Sequence, residues 1–156
     1  MFAYGSLASH DAGRPCVLRD HRRAWGVAMD NRRTIRGYKY YVDAVTGERP
    51  AVYVAFMCIW PEPGASVHGV LLEVDDAGLA ALDRRERNYD RRDVSAHVDV
   101  DGPVWAYLGS DAGRERLAAG RAGGTAVVSE EYLARVPDGK PPDLPVRRLL
   151  RRDVGA

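Results

Sequence analysis

Residues 51–60, AVYVAFMCIW, form the most apolar stretch of the chain, and Pro50 and Pro61 bound it on either side. A run of this length, bounded by prolines and rich in β-branched and aromatic residues, is more typical of a buried strand than of a helix. We therefore predict that this stretch is a central strand and that the rest of the sheet is built around it.

Further strands are predicted on both sides of this stretch, from alternation of apolar residues or enrichment in β-branched and aromatic residues. They cover residues 1–4, 24–29, 38–42, 66–74, 94–100 and 104–108. Residues 16–22 are predicted to be irregular, and residues 61–64, PEPG, to form a turn. The Pro- and Arg-rich tail at 141–156 is expected to dock loosely. Many strands and few helices predict an α+β fold, with a small mixed or antiparallel β-barrel-like sheet flanked by a few α-helices. We expect residues 1–156 to form a single domain.

Two helices are predicted from their start signals. Asp75 and Asp76 are typical of a helix N-terminus, and Ser129 predicts the start of a short helix over 129–136. Glu86 follows Leu82 by four residues, and positions four apart share one face of a helix. We expect the Glu86 carboxylate to point inward beside the leucines.

Residues 2–7, FAYGSL, predict a strand that runs directly into a turn. Gly5 and Ser6 let the backbone bend and offer N–H groups that can bind an anion or a carbonyl oxygen. Glu86 is a candidate general base, a role that requires a carboxylate held partly away from water. Taken alone, its arginine-rich surroundings (residues 83–93, DRRERNYDRRD) favour a solvated surface glutamate instead.

Four segments together resemble the gamma-glutamylcyclotransferase family: the YGSL loop at 4–7, PEPGASVHGV at 61–70, LDRRE at 82–86 and YDRRDV at 89–94. The resemblance covers roughly residues 1–110, with a further counterpart at Tyr132-Leu133. Two features depart from the family pattern. Many members have Asn or Thr near the end of the loop where this chain has Ser6-Leu7, and the stretch from Gly5 to Arg36 gives no clear alignment.

The resemblance implies the fold predicted above and an intramolecular reaction in which a γ-glutamyl group cyclises to 5-oxoproline and releases an amine or amino acid. It implies Glu86 as the general acid and base, and a substrate pocket formed by Tyr4, Gly5, Ser6, Leu7 and Tyr89. It implies no cofactor and no metal; the partner is a small γ-glutamyl substrate. Two alternatives stay open: a non-catalytic small-molecule-binding module on the same fold, and an interaction domain that uses the Arg-rich tail.

Composition argues against several other classes of partner. The net charge is +1, from 23 basic and 22 acidic residues, which gives no electrostatic case for nucleic acid or an anionic membrane. We see no signal peptide, and no apolar run approaches the ~20 residues of a membrane span. Cys16 and Cys58 cannot build a disulfide framework, and the histidines at 10, 21, 68 and 97 lack metal-ligand spacing. We expect a cytoplasmic protein, monomeric or homodimeric.

Overall fold

One long antiparallel strand pair organises the fold. In the computed structural model, which describes residues 1–9, 13–136 and 142–155, strand β2 (Arg14–Asp30) pairs with strand β4 (Tyr53–Leu71). Their register runs from Arg14 opposite Leu71 to Asp30 opposite Tyr53. The predicted strand at 51–60 is therefore the first half of β4.

The remaining elements are shorter and follow the chain around this pair. The other strands are β1 (Phe2–Ala3), β3 (Lys39–Asp43), β5 (Tyr89–Asp93), β6 (Trp105–Gly109), β7 (Ala126–Ser129), β8 (Val146–Arg147) and β9 (Leu149–Asp153). The helices of the described residues are α1 (Asp76–Arg85), α2 (Asp111–Ala122) and α3 (Glu130–Leu133).

The main sheet mixes both strand directions. β1 and β2 pair antiparallel with β4, whereas β7 pairs parallel with β4 and β8 parallel with β7. Two antiparallel pairs, β3–β9 and β5–β6, complete the strands of the described chain. The main sheet curls into a half-barrel with the helices beside it, so the predicted α+β fold with a mixed barrel-like sheet is confirmed.

The first half of β4 is apolar without alternation because both of its faces are covered. Val54, Phe56 and Cys58 lie in one hydrophobic cluster, and Ala55 lies in another with Leu117 of α2. All five of these residues are at most 5 % exposed. A strand buried on both faces has no position for a polar side chain, which explains the continuous apolar run.

The predicted turn at 61–64 is wrong. The chain continues as β4 through these residues, and the β2–β4 register shifts between Arg19 opposite Ser66 and His21 opposite Pro61. The extra residues form a bulge. The Gly64 N–H stabilises it by donating a hydrogen bond to Asp20 Oδ1 at 2.9 Å. Gly64 adopts a φ of 81°, which glycine tolerates. The turn-forming residues of PEPG therefore form a bulge within a long strand pair.

Three other sequence predictions are wrong. Residues 16–22, expected to be irregular, lie within β2, where the pairing with β4 outweighs their polar character. Residues 94–100 are not a strand; the strand β5 ends at Asp93, and Ser95–His97 form a 3-10 turn. The Arg-rich tail was expected to dock loosely, yet β9 pairs with β3 over five residues and Leu149 is 1 % exposed.

Helix α1 begins as predicted. The Asp75 side chain accepts a hydrogen bond from the Gly78 N–H at 2.8 Å, which caps the helix N-terminus. The predicted helix at 129–136 is shorter, and α3 ends at Leu133. No helix in the described ranges combines the length and apolarity that crossing a bilayer requires.

Candidate active site

A pocket lies where the start of the chain passes the segment that follows α1. The space between its lining atoms is about 380 Å³, part of it open to solvent. It is lined by Phe2, Ala3, Tyr4, Gly5, Ser6, Leu7, Met57, Glu86, Tyr89, Tyr107 and Tyr132. The structure thus brings all six residues that the sequence singled out, Tyr4 to Leu7, Glu86 and Tyr89, into one lining.

The loop at one side of the pocket is fixed by hydrogen bonds on both flanks. β1 ends at Ala3, and the Tyr4 carbonyl accepts a hydrogen bond from Arg23 Nη1 at 3.0 Å. The Gly5 carbonyl accepts from the Ala8 N–H at 2.9 Å, which closes the 3-10 turn Ser6–Ser9. The backbone of Gly5 to Leu7 is therefore held in one conformation beside the pocket.

Two tyrosines close the pocket with their rings and direct their hydroxyls to the backbone. The Tyr4 hydroxyl donates to the Tyr107 carbonyl at 2.5 Å, and the Tyr89 hydroxyl donates to the Met57 carbonyl at 2.7 Å. Burial raises the pKa of both phenols well above the usual value, so both stay protonated near neutral pH. The rings form walls of the pocket, and their hydrogen bonds to the backbone of β4 and β6 set their positions.

Glu86 is the first residue beyond helix α1. The helix ends at Arg85, and the Glu86 N–H still donates to the Leu82 carbonyl at 2.8 Å. The side chain is only 15 % exposed and so lies inward as expected. The helical spacing from Leu82 is not the reason, because Glu86 lies outside the helix and α1 has no buried residue. Of its arginine neighbours in sequence, Arg85 alone is recorded in an ion pair with it, with Nε 3.3 Å from Glu86 Oε1.

The surroundings of Glu86 favour its protonated form. Burial raises the pKa of this carboxyl, and the nearby positive charges of Arg85, Lys39 and Arg151 oppose that rise without cancelling it. A carboxylate whose pKa is raised toward working pH can both accept and return a proton. This is the property that distinguishes a candidate general base from a surface glutamate.

Other pocket residues were not found from the sequence. Tyr107 donates its hydroxyl to Asp83 Oδ1 at 2.7 Å, and the Tyr132 hydroxyl accepts from the Met57 N–H at 3.3 Å. Burial raises the pKa of both phenols. Tyr132 had been noticed as a possible family counterpart, whereas Tyr107 and Met57 sit in ordinary strand patterns that carry no signal of a site.

The described histidines and the Arg-rich tail are not among the residues that line this pocket. His68 is exposed on β4, and His97 Nδ1 lies 3.5 Å from Asp20 Oδ2 on the far side of the β2–β4 bulge; His10 is outside the described residues. Within residues 1–9, 13–136 and 142–155, no group of three or more His, Cys, Asp or Glu side chains could hold a metal ion. In the tail, Arg147 pairs with Asp43 and Arg151 with Asp153.

Comparison with known proteins agrees with the resemblance of the motifs. The family model described as gamma-glutamyl cyclotransferase, AIG2-like, matches residues 1–132, a range that includes every residue lining the pocket. No curated protein and no solved structure matches the chain. On the extent of the family match, the chain belongs to the AIG2-like gamma-glutamyl cyclotransferase family.

Proposed function

We propose that this protein is a gamma-glutamylcyclotransferase that acts on a γ-glutamyl amino acid or a γ-glutamyl amine. The substrate's free α-amine attacks its own γ-carbonyl carbon and forms the C–N bond of a five-membered lactam. The bond to the leaving nitrogen then breaks, which gives 5-oxoproline and a free amine. The observation that carries the proposal is the Glu86 carboxylate, 15 % exposed, in one pocket with the Gly5–Leu7 backbone.

Glu86 moves the proton in this proposal. It takes a proton from the α-ammonium, which frees the nucleophile, and returns that proton to the leaving nitrogen, so the carboxylate is regenerated after each turnover. The raised pKa of Glu86 supports this double role because the carboxylic acid must be a stable intermediate form. The Arg85 guanidinium beside it supports the ionised form that begins the cycle.

The loop and the tyrosine walls would hold the substrate. Backbone N–H groups around Gly5, Ser6 and Leu7 would bind the substrate carboxylate or the oxyanion that forms on the γ-carbonyl oxygen. Tyr4 and Tyr89 would fold the γ-glutamyl group so that its amine approaches its carbonyl. Because nucleophile and electrophile share one molecule, the reaction needs orientation and requires neither cofactor nor metal.

The direct test is Glu86→Gln, assayed for 5-oxoproline by chromatography with a panel of γ-glutamyl compounds. Glutamine keeps the size of the side chain and cannot accept the proton, so we expect a loss of about 10²- to 10⁴-fold in rate. Glu115→Gln, which changes an exposed carboxylate on α2, is the matched control and should retain wild-type turnover. Unchanged turnover in Glu86→Gln would overturn the assignment of Glu86.

The same assay separates catalysis from simple binding. A wild-type protein that releases no 5-oxoproline from any compound in the panel, yet binds one of them, would instead be a binding module on this fold. Calorimetry with the same compounds supplies that second measurement.

A further inference from the structure

A second recess adjoins the pocket and is basic. It is lined by four cationic side chains, Lys39, Arg85, Arg135 and Arg151, and by one acidic side chain, Glu131. It shares Ser6 and Tyr132 with the pocket that contains Glu86. Its cationic side chains come from β3, the end of α1, the residues after α3, and β9. We call it the basic recess.

The arginines of the basic recess already have acidic partners. Arg85 pairs with Glu86 at 3.3 Å, Arg151 pairs with Asp153 at 2.7 Å, and Arg135 pairs with Glu131. Each of these charges is at least partly neutralised within the protein. The arginines alone therefore do not call for an anionic ligand.

Lys39 differs from them. Among the described residues, its ammonium is recorded in no hydrogen bond or ion pair, and it lies against aromatic faces, 4.3 Å from the Phe56 ring centroid and 5.6 Å from that of Tyr38. The Phe56 ring in turn packs edge-on against Tyr132, with centroids 4.9 Å apart. A chain of contacts thus connects the unpaired ammonium to the wall of the pocket.

No acidic side chain of the described residues is recorded in an ion pair with this buried ammonium, although Glu86 and Asp153 attract it from farther away. Burial lowers the pKa of Lys39 to about 8, against the opposing effect of Glu86, and the group is still mostly charged at neutral pH. The charged or titratable groups that face it are Glu86 and Arg85 at the end of α1, Arg151 and Asp153 on β9, and Tyr38 beside it. A ligand carboxylate would supply the missing partner.

The proposed reaction places two carboxylates within reach of this region. One belongs to the γ-glutamyl group itself, for which the N–H groups of the Gly5–Leu7 loop are a proposed binding site. The other exists only when the leaving portion is an amino acid. The leaving portion must extend out of the pocket that contains Glu86, and the basic recess adjoins that pocket at Ser6 and Tyr132.

We propose that Lys39 is a specificity-determining residue that binds a carboxylate on the leaving portion of the substrate, so that the enzyme prefers γ-glutamyl amino acids to γ-glutamyl amines that lack this group. The inference rests on the proposed cyclotransferase function and deepens it.

The test compares two compounds that differ only in the carboxylate, γ-glutamylalanine and γ-glutamylethylamine. Wild-type protein should have a higher kcat/KM for γ-glutamylalanine. Lys39→Met keeps the length and apolar contacts of the side chain and removes its charge. It should lower the ratio of the two kcat/KM values roughly tenfold to a hundredfold, the usual effect of losing a hydrogen bond to a charged group. Arg152→Met is the control. Arg152 is exposed, lies on the same strand as Arg151 and lines neither cavity. This variant should leave the ratio at its wild-type value.

The ratio should also fall as pH rises through about 8, because neutral Lys39 no longer attracts the carboxylate. Because the ratio divides the value for one compound by the value for the other, the effect of any group that titrates in both reactions cancels. A ratio that is unchanged in Lys39→Met would overturn the proposal. An equal loss on both compounds would also overturn it, since Lys39 would then act on something that both reactions share, either the carboxylate of the γ-glutamyl group or Glu86, whose pKa Lys39 lowers.

Binding measurements keep this inference separate from the reaction. In the Glu86→Gln background, calorimetry should give tighter binding of γ-glutamylalanine than of γ-glutamylethylamine, and adding Lys39→Met should remove the difference. If wild-type protein releases 5-oxoproline from neither compound, the proposed function fails while this comparison still tests Lys39. Equal binding of the two compounds, or binding of neither, would contradict the role of Lys39.

Discussion

Glu86 carries a cost in stability that follows from its position. Burial raises its pKa in the folded protein, so the folded state binds this proton more tightly than the unfolded state does. Stability therefore falls as pH rises from the unfolded pKa through the raised folded pKa, and the penalty is complete above the folded pKa. Below the unfolded pKa, both states are protonated and the penalty is absent.

We accordingly predict that Glu86→Gln raises the melting temperature at neutral pH and that this gain disappears near pH 3 to 4. Thermal unfolding of wild type, Glu86→Gln and the control Glu115→Gln across this pH range measures the effect. A melting temperature that drops at neutral pH in Glu86→Gln would show that the Arg85 contact outweighs the cost of burial.

At this scale, some site residues can be predicted from sequence and others cannot. Glu86 and Tyr89 lie in one continuous motif, and the YGSL loop is a recognisable turn, so local spacing is enough to nominate them. Lys39 depends on Phe56 of β4 and Arg151 of β9, contacts that exist only after distant strands pair. Its one local signal is that it is one of two lysines among 23 basic residues.

Among the secondary-structure elements, the approach of β1 to β4 positions the substrate loop. An added Cβ at Gly69 of β4 would lie 2.3 Å from the Ala3 carbonyl oxygen and 2.6 Å from Phe2 Cζ. Glycine at this position is what allows β1 to lie close enough to pair. The loop at Tyr4 to Leu7 continues directly from β1.

We predict that Gly69→Ala destabilises the protein by roughly 1–3 kcal/mol, the usual range for overpacking, and lowers turnover because β1 and the loop shift together. Gly155→Ala, where an added Cβ meets nothing within 4 Å, is the control and should behave as wild type. Urea unfolding and the 5-oxoproline assay measure both effects. Wild-type stability in Gly69→Ala would mean that this close approach does not position the loop.

Elements that the sequence did not predict share a physical reason. Helix α2 packs through Gly113, Leu117 and Gly120, which are buried, and an added Cβ at Gly113 would lie 2.9 Å from the Asn88 carbonyl oxygen. A contact face made largely of glycine carries almost no apolar periodicity, so pattern analysis passes over it. The helix starts after Ser110, whose hydroxyl caps it by accepting a hydrogen bond from the Gly113 N–H at 3.1 Å.

For the whole molecule, the sequence predicted the α+β class and the strand-rich core, because these depend on local patterns of apolar residues. It did not predict which distant segments meet. The tail shows this most clearly, since β9 reaches back to β3 and brings Arg151 beside Lys39. We propose that the chain forms a single domain in which the pairing of β9 with β3 completes the basic recess. The tail then has a structural role, and a role in binding another protein is not needed to explain it.

The central claim is that the substrate's own α-amine is the nucleophile, and one measurement tests it most directly. γ-Glutamylalanine and its Nα-acetyl derivative are each incubated with the wild-type protein, and alanine, 5-oxoproline and glutamate-type products are quantified. The account predicts equal amounts of alanine and 5-oxoproline from the free amine, and no alanine from the acetylated compound, because no nucleophile is left to cyclise. Release of alanine together with N-acetylglutamate would mean that water attacks the γ-carbonyl, and the cyclotransferase account would be wrong.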